Sequence, residues 1–141
     1  MRKTLFHYLI VGILIISASC KKSSSPAPNP APTPEANLNI SISPDPGATN
    51  AISFAASYSY KLLINSTPPT NGVKVDITVT NDLDNSVTFS QSIQTNSAST
   101  TSVDLQISNL NLGALYTVKT DVTSLTTPTN KASKNFKITR K

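Results

Sequence analysis

Tryptophan is missing from this chain, and histidine and cysteine occur once each, as His7 and Cys20. Those shortages exclude a good deal. Zinc, copper and haem centres draw on several imidazoles or thiolates, and acyl transfer by a Ser-His or Cys-His pair needs a histidine beside the nucleophile. Acid is scarce as well: seven Asp and Glu stand against twelve Lys and Arg, a net charge of +5. Paired carboxylates for glycoside hydrolysis would have to come from that small set. Glu35 falls in a proline-rich stretch, and the alternation described below turns Asp76, Asp104 and Asp121 outward. No catalytic residue and no cofactor is expected, and the basic excess is too weak to imply nucleic acid.

What is present begins with a basic start, Arg2-Lys3, followed by an apolar run from Leu5 to Ile16 and then the small residues Ser17, Ala18 and Ser19. Charge, apolar stretch and small-residue junction, in that order, form an export signal. The run is shorter than the roughly 20 residues that span a bilayer, so cleavage is expected rather than retention. The junction Ala18-Ser19-Cys20 resembles that of bacterial lipoproteins, in which the cysteine is diacylated and becomes the first mature residue. Ser17 departs from the usual aliphatic residue. An ordinary secretion signal is the alternative, because Ser17 and Ser19 also satisfy the small-x-small rule. It would leave Cys20 as an exported thiol with no partner. Two acyl chains make a stable anchor, at about 0.8 kcal/mol per buried methylene. Loss of residues 1–19 removes His7, Arg2 and Lys3, so the mature charge is about +3.

Residues 20–36 hold the lipidated cysteine and a linker. Proline recurs at every second position from Pro26 to Pro34, which fixes φ and removes donors, so neither helix nor sheet can propagate. As polyproline II, at ~3.1 Å per residue, the spacer would reach about 50 Å from a membrane. The Cys20-Lys21-Lys22-Ser23-Ser24 start resembles lipoproteins of the Bacteroidetes group. That resemblance implies the outer membrane, since no Asp follows the cysteine. It implies the periplasmic face over the cell surface, since no acid occurs before Glu35.

From residue 37 to residue 141 the texture is alternation. Leu38, Ile40 and Ile42 share one parity. Ile52, Phe54, Ala56, Tyr58, Tyr60, Leu62 and Ile64 read as one long strand, and Val73, Val75, Ile77 and Val79 as the next. Val87, Phe89 and Ile93 follow, then Val103, Leu105 and Ile107, then Tyr116, Val118 and Val122, and last Phe136 and Ile138. A period of two repeated seven times, punctuated by Pro, Gly and Asn, predicts an all-β, seven-stranded antiparallel sandwich with one buried face per sheet. About 105 residues suffice for one core without disulfides.

Leu110-Asn111-Leu112-Gly113-Ala114-Leu115-Tyr116 resembles the junction before the sixth strand of a fibronectin type III domain, an immunoglobulin-like sandwich, where a Leu comes six residues before a Tyr. The resemblance implies structural roles for Leu110 and Tyr116, the tyrosine keeping its ring in the core and returning its hydroxyl to backbone upstream. Leu112 stands where proline is common. The second strand lacks the family's Trp, with Phe54 or Tyr58 as substitutes.

For binding, Asp82 and Asp84, flanked by Asn81 and Asn85, are hard oxygen ligands spaced by two, and they are the calcium candidates, with Asp45 at the same pole. A hairpin turn explains them equally, and the calcium-loop Gly and distal Glu are absent. No metal is therefore assigned. Tyr58 and Tyr60 are the glycan candidates, if their strand runs past the sandwich edge. Lys131, Lys134, Lys137, Arg140 and Lys141 read as a lysine-protected edge strand. The expected whole is an exported lipid-anchored envelope protein with a non-catalytic structural or protein-binding sandwich. Its expected partners are the membrane, through the N-terminal lipid anchor, and an envelope protein or glycan. A carbohydrate-binding accessory lipoprotein is the alternative, and an enzyme with an unrecognised site the third reading. Replacement Cys20→Ala is expected to move the protein out of the membrane fraction and abolish acyl labelling; a variant that stays membrane-bound and labelled would refute the anchor.

Overall fold

A computed structural model describes residues 33–141; the expected export segment, Cys20 and the expected linker as far as Pro32 lie outside the described residues. The alternating stretches form eight strands: β1 (Ile40–Ser43), β2 (Ala51–Ser53), β3 (Tyr58–Ile64), β4 (Val73–Asn81), β5 (Val87–Gln94), β6 (Ser102–Ile107), β7 (Leu115–Ser124) and β8 (Lys131–Arg140). They build two sheets packed as a sandwich. One holds three strands in the order β1-β3-β6, and the other holds five in the order β2-β8-β7-β4-β5. Every pairing is antiparallel except β2 with β8, which is parallel.

Alternation places the core. In β4, Val73, Val75, Ile77 and Val79 are wholly buried, and across the ladder Tyr116, Val118 and Val122 of β7 are too. Tyr60, Leu62 and Ile64 of β3, with Leu105 and Ile107 of β6, close over them from the smaller sheet. Each such side chain contributes about 1.5–3 kcal/mol by leaving water. One polar pair crosses the core. The Tyr60 hydroxyl lies 2.8 Å from Oγ1 of Thr120, a residue with no solvent exposure. Tyr60 belongs to the small sheet and Thr120 to the large one, so this bond fixes how the sheets sit together. Burial pushes the Tyr60 hydroxyl's pKa up, and the bond to Thr120 partly offsets the shift.

Three expectations need correction. The single strand over 52–64 is two strands in different sheets. Ala51 pairs with Ile138 and Ser53 with Arg140, which turns Ala51 and Ser53 inward and leaves Ile52 44% and Phe54 82% exposed. The chain then crosses to the other sheet and resumes at Tyr58 with the opposite parity inward. A one-residue change of phase flips every side chain, so Phe54 is no substitute for the core Trp. The crossing is held by Ser53, whose buried hydroxyl sits 2.9 Å from the Ala55 carbonyl and 2.8 Å from that of Ser57. Val87 is the second correction. The register slips between Val79 and Thr80, so Val87 pairs with outward-facing Thr80 and is 60% exposed. The third concerns β8, whose Ile138–Arg140 end is covered by β2; only its lysine-bearing first part lies on an open side.

Gly72, before β4, has φ +82°, and a Cβ there would meet the Thr95 carbonyl oxygen at 1.9 Å. Only glycine fits that approach.

The buried bond gives a test of sheet-to-sheet coupling. Tyr60→Phe or Thr120→Val alone leaves one buried hydroxyl unsatisfied and is expected to cost about 1–3 kcal/mol. In urea unfolding, the double variant should cost less than the sum of the two single changes; strict additivity would deny the coupling.

Candidate functional site

The strand directions give the sandwich two ends. At one, the loops 65–72, 95–101 and 125–130 gather, held by the Leu125 N–H on the Gly72 carbonyl at 3.0 Å and the Asn71 N–H on Thr126 Oγ1 at 2.9 Å. The chain enters the folded unit here. The Glu35 carboxylate accepts hydrogen bonds from Ser124 Oγ, at 3.0 Å, and from the Asn130 amide. Asn130 also donates to the Ala36 carbonyl and accepts from the Leu38 N–H. Glu35 and Ala36, linker residues by composition, are thus bound to the sandwich.

The opposite end carries most of the residues singled out from sequence. Tyr116 is wholly buried, and its hydroxyl accepts from the Asn111 N–H at 2.8 Å. Leu110 is 1% exposed; its N–H donates to the Ala56 carbonyl at 3.0 Å, and its own carbonyl accepts from Arg140 Nη1 at 2.9 Å. Asn109 and Gly113, at φ +64° and +76°, turn the chain on either side. The result is a tied corner in which Arg140 is structural, not a solvated member of a basic cluster.

Asp82 and Asp84 occupy the turn between β4 and β5, and each has its own partners. Asp82 accepts from Thr117 Oγ1 at 2.7 Å and forms an ion pair with Lys137. Asp84 accepts from the N–H and the hydroxyl of Ser86, at 2.9 and 2.7 Å. The Lys137 ammonium, and then the Thr117 hydroxyl, hold the Asp82 carboxyl below the usual range. Asn85 takes the left-handed conformation, φ +59°, that this turn needs. Among the described residues, no three His, Cys, Asp or Glu side chains gather as a metal-holding group.

Tyr58 and Tyr60 do not project past an edge. Tyr60 is 4% exposed, Tyr58 is half-buried, and the two rings lie 6.4 Å apart near parallel. Both pack on Phe136, at 6.2 and 5.2 Å. Tyr60 and Phe136 are core residues and Tyr58 packs half-buried against them, so Tyr60 offers no ring face to a sugar.

The corner end exposes what sequence placed inside or left unnamed. Leu83 is 91% exposed, Phe54 82% and Leu112 72%. They share this end because Phe54 follows the Ser53–Arg140 pair, Leu112 bridges to Arg140, and Leu83 lines a cavity of about 360 Å³ with Gly113, Ala114 and Leu115. A signal for two of them lay in the sequence: Leu83 sits within Asn-Asp-Leu-Asp-Asn and Leu112 within Asn-Leu-Gly, apolar residues embedded in turn formers. No protein-family model matches this chain, and no curated protein matches it.

Because Asp82 has a lowered pKa in the fold, its contribution to stability is full above the ordinary carboxylate pKa near 4 and is lost as pH falls through the lowered value. Asp82→Asn should therefore destabilise at neutral pH without added calcium. The gap to the parent should shrink as the pH falls below about 4 in acid-unfolding curves. A gap unchanged with pH would deny the Asp82–Lys137 linkage.

Proposed function

We propose that the chain is an exported, lipid-anchored cell-envelope protein whose immunoglobulin-like sandwich, close to fibronectin type III, binds another protein without catalysis. The anchor rests on the Ala18-Ser19-Cys20 junction. The family reading is supported by the strand order, β1-β3-β6 against β8-β7-β4-β5 with short β2 added, and by the Tyr116 corner. Attachment at the outer membrane, facing the periplasm, follows from the lipoprotein resemblance. The absence of histidine after His7 and the engagement of carboxylates by lysines and turn donors support a non-catalytic role.

One observation carries the binding role: Phe54, Leu83 and Leu112, all strongly exposed, lie at the same end of the sandwich, opposite the Glu35 clamp. Several exposed large apolar side chains at one end of a domain favour protein contact over solvent, and loops on a rigid scaffold are where contacts are made. A photo-crosslinking residue at Leu83, in intact cells, is expected to join a distinct protein. Phe54→Ser with Leu112→Ser should abolish that adduct while the circular dichroism spectrum stays β-type. Retention on an envelope polysaccharide that survives this double change, with no protein adduct, would overturn the reading in favour of glycan binding.

A further inference from the structure

The sandwich has four edge strands, and three of them are protected. β1 has four residues and runs into Pro44, β2 has three, and β6 carries Asp104 in an ion pair with Lys61 at 3.1 Å. β8, open beside β2, carries Lys131, Lys134 and Lys137. Short length, charge, proline and bulges are among the means by which edges avoid pairing with other chains. β5 has only a bulge, at Thr88 near its start. It is eight residues long, and no charged residue and no proline occurs from Asn85 to Val103.

The groups on its open side can be identified. The Thr95 N–H donates to the Val73 carbonyl at 2.9 Å, and antiparallel alternation then directs the amides of Ile93, Gln91 and Phe89 to β4. Those of Ser90, Ser92 and Gln94 face outward, and among the described residues no strand pairs with them. The Asn109 amide caps the Thr88 carbonyl at 3.1 Å, closing one end of the free stretch. On the inner face, Phe89 and Ile93 are only half-buried, because the smaller sheet ends at β6. With Gln91, Asp104 and Gln106 they line a groove of about 430 Å³.

We propose that β5 is a self-association edge, pairing antiparallel with β5 of a second copy about a two-fold axis at Gln91 and joining the two large sheets into one. The occupant follows from charge. In a two-fold contact an edge meets itself, so a charged strand would repel its copy, and β5 is the long edge with no charge to repel. The register follows from side chains. The outward amides must face one another, which centres the axis on a residue; near the middle of the strand that residue is Ser90, Gln91 or Ser92. With Gln91 on the axis, Ser90 faces Ser92 as the hydrogen-bonded pair, and Phe89 faces Ile93 as the closer, non-hydrogen-bonded pair. That is an aromatic and β-branched contact, of the kind that stabilises sheets, and it covers both grooves. An axis at Ser90 sets Phe89 against Gln91, and one at Ser92 sets Ile93 against Gln91. The contact uses neither the lipid anchor nor the Phe54, Leu83 and Leu112 end, so it stands or falls separately from them.

The full chain carrying Cys20→Ala is expected to sediment as a reversible monomer–dimer mixture. Ser90→Lys with Ser92→Lys sets like charges opposite each other and should weaken the dimer roughly tenfold. Ser90→Asp with Ser92→Asp should do the same, and mixing the two variants should restore dimer as a heterodimer. Gln91→Cys in that background should form a disulfide dimer under mild oxidation, whereas Lys119→Cys, on the outer face of β7, should not. Circular dichroism reports that the variants fold. A chain monomeric at all concentrations, a Lys variant that dimerises as the parent does, or a Gln91→Cys thiol captured by a different protein instead of its copy would each overturn the proposal.

Discussion

A sheet of five strands covered by one of three cannot bury all of its inner face, and that mismatch in width governs where this molecule is rigid and where it is open. β4 and β7, centred under the smaller sheet, carry the wholly buried valines and Ile77, Tyr116 and Thr120. β5 lies beyond the cover, and Phe89 and Ile93 stay half-buried there. A sandwich with equal sheets would have closed that side; here the same residues form a groove and an uncapped ladder. The inner-facing alternation of β5 thus holds for Phe89 and Ile93, not for Val87, and is incomplete in burial.

The two sheets are held in place by a few contacts between residues far apart in sequence. Tyr60 and Thr120 meet across the middle. At one end, Glu35 and Asn130 tie the first described residues to the loop before β8. At the other, Leu110 is held by both Ala56 and Arg140, and Tyr116 receives Asn111. Each of these contacts is buried or half-buried and has few alternatives in the fold, so each is worth more than an exposed ion pair such as Lys61–Asp104, whose expected contribution is about 0–1 kcal/mol.

How much was legible in the sequence depended on whether one face of a segment was buried throughout. Val73 to Val79 and Tyr116 to Val122 alternate cleanly because both strands lie at the centre, and their inward parity could be read without knowing the sheet. Residues 51 to 64 could not be read that way. Ala51 and Ser53 are inward on the large sheet and Tyr60 and Leu62 on the small one, and the switch occurs over Phe54 to Ser57, which hold neither glycine nor proline to mark it. Val87 was misplaced by a bulge, a feature of pairing that a single strand's pattern does not encode. Composition put Glu35 with the prolines; its partners, Ser124 and Asn130, lie some ninety residues on. Asp82 looked like a calcium ligand because its ion-pair partner, Lys137, is also distant in sequence, 55 residues away.

The distribution of charge also separates groups that are engaged within the fold from groups that are free. All seven acidic residues have internal work: Asp76, Asp82, Asp104 and Asp121 pair with lysines, Asp84 and Asp45 close turns on Ser86 and Gly47, and Glu35 clamps Asn130. Recruiting any of them for an external ligand would give up an intramolecular contact. The paired lysines are offset in the same way, which leaves Lys131 and Lys134 as the excess on β8. Apart from those two lysines, the surfaces with no internal use for their groups include two that are uncharged: the apolar end around Leu83 and Leu112, and the amides of Ser90, Ser92 and Gln94. On the binding role proposed above, recognition there would depend on shape, apolar contact and backbone hydrogen bonding, for which Ser, Thr and Asn in the neighbouring positions supply donors and acceptors without a desolvation cost as large as that of a charge.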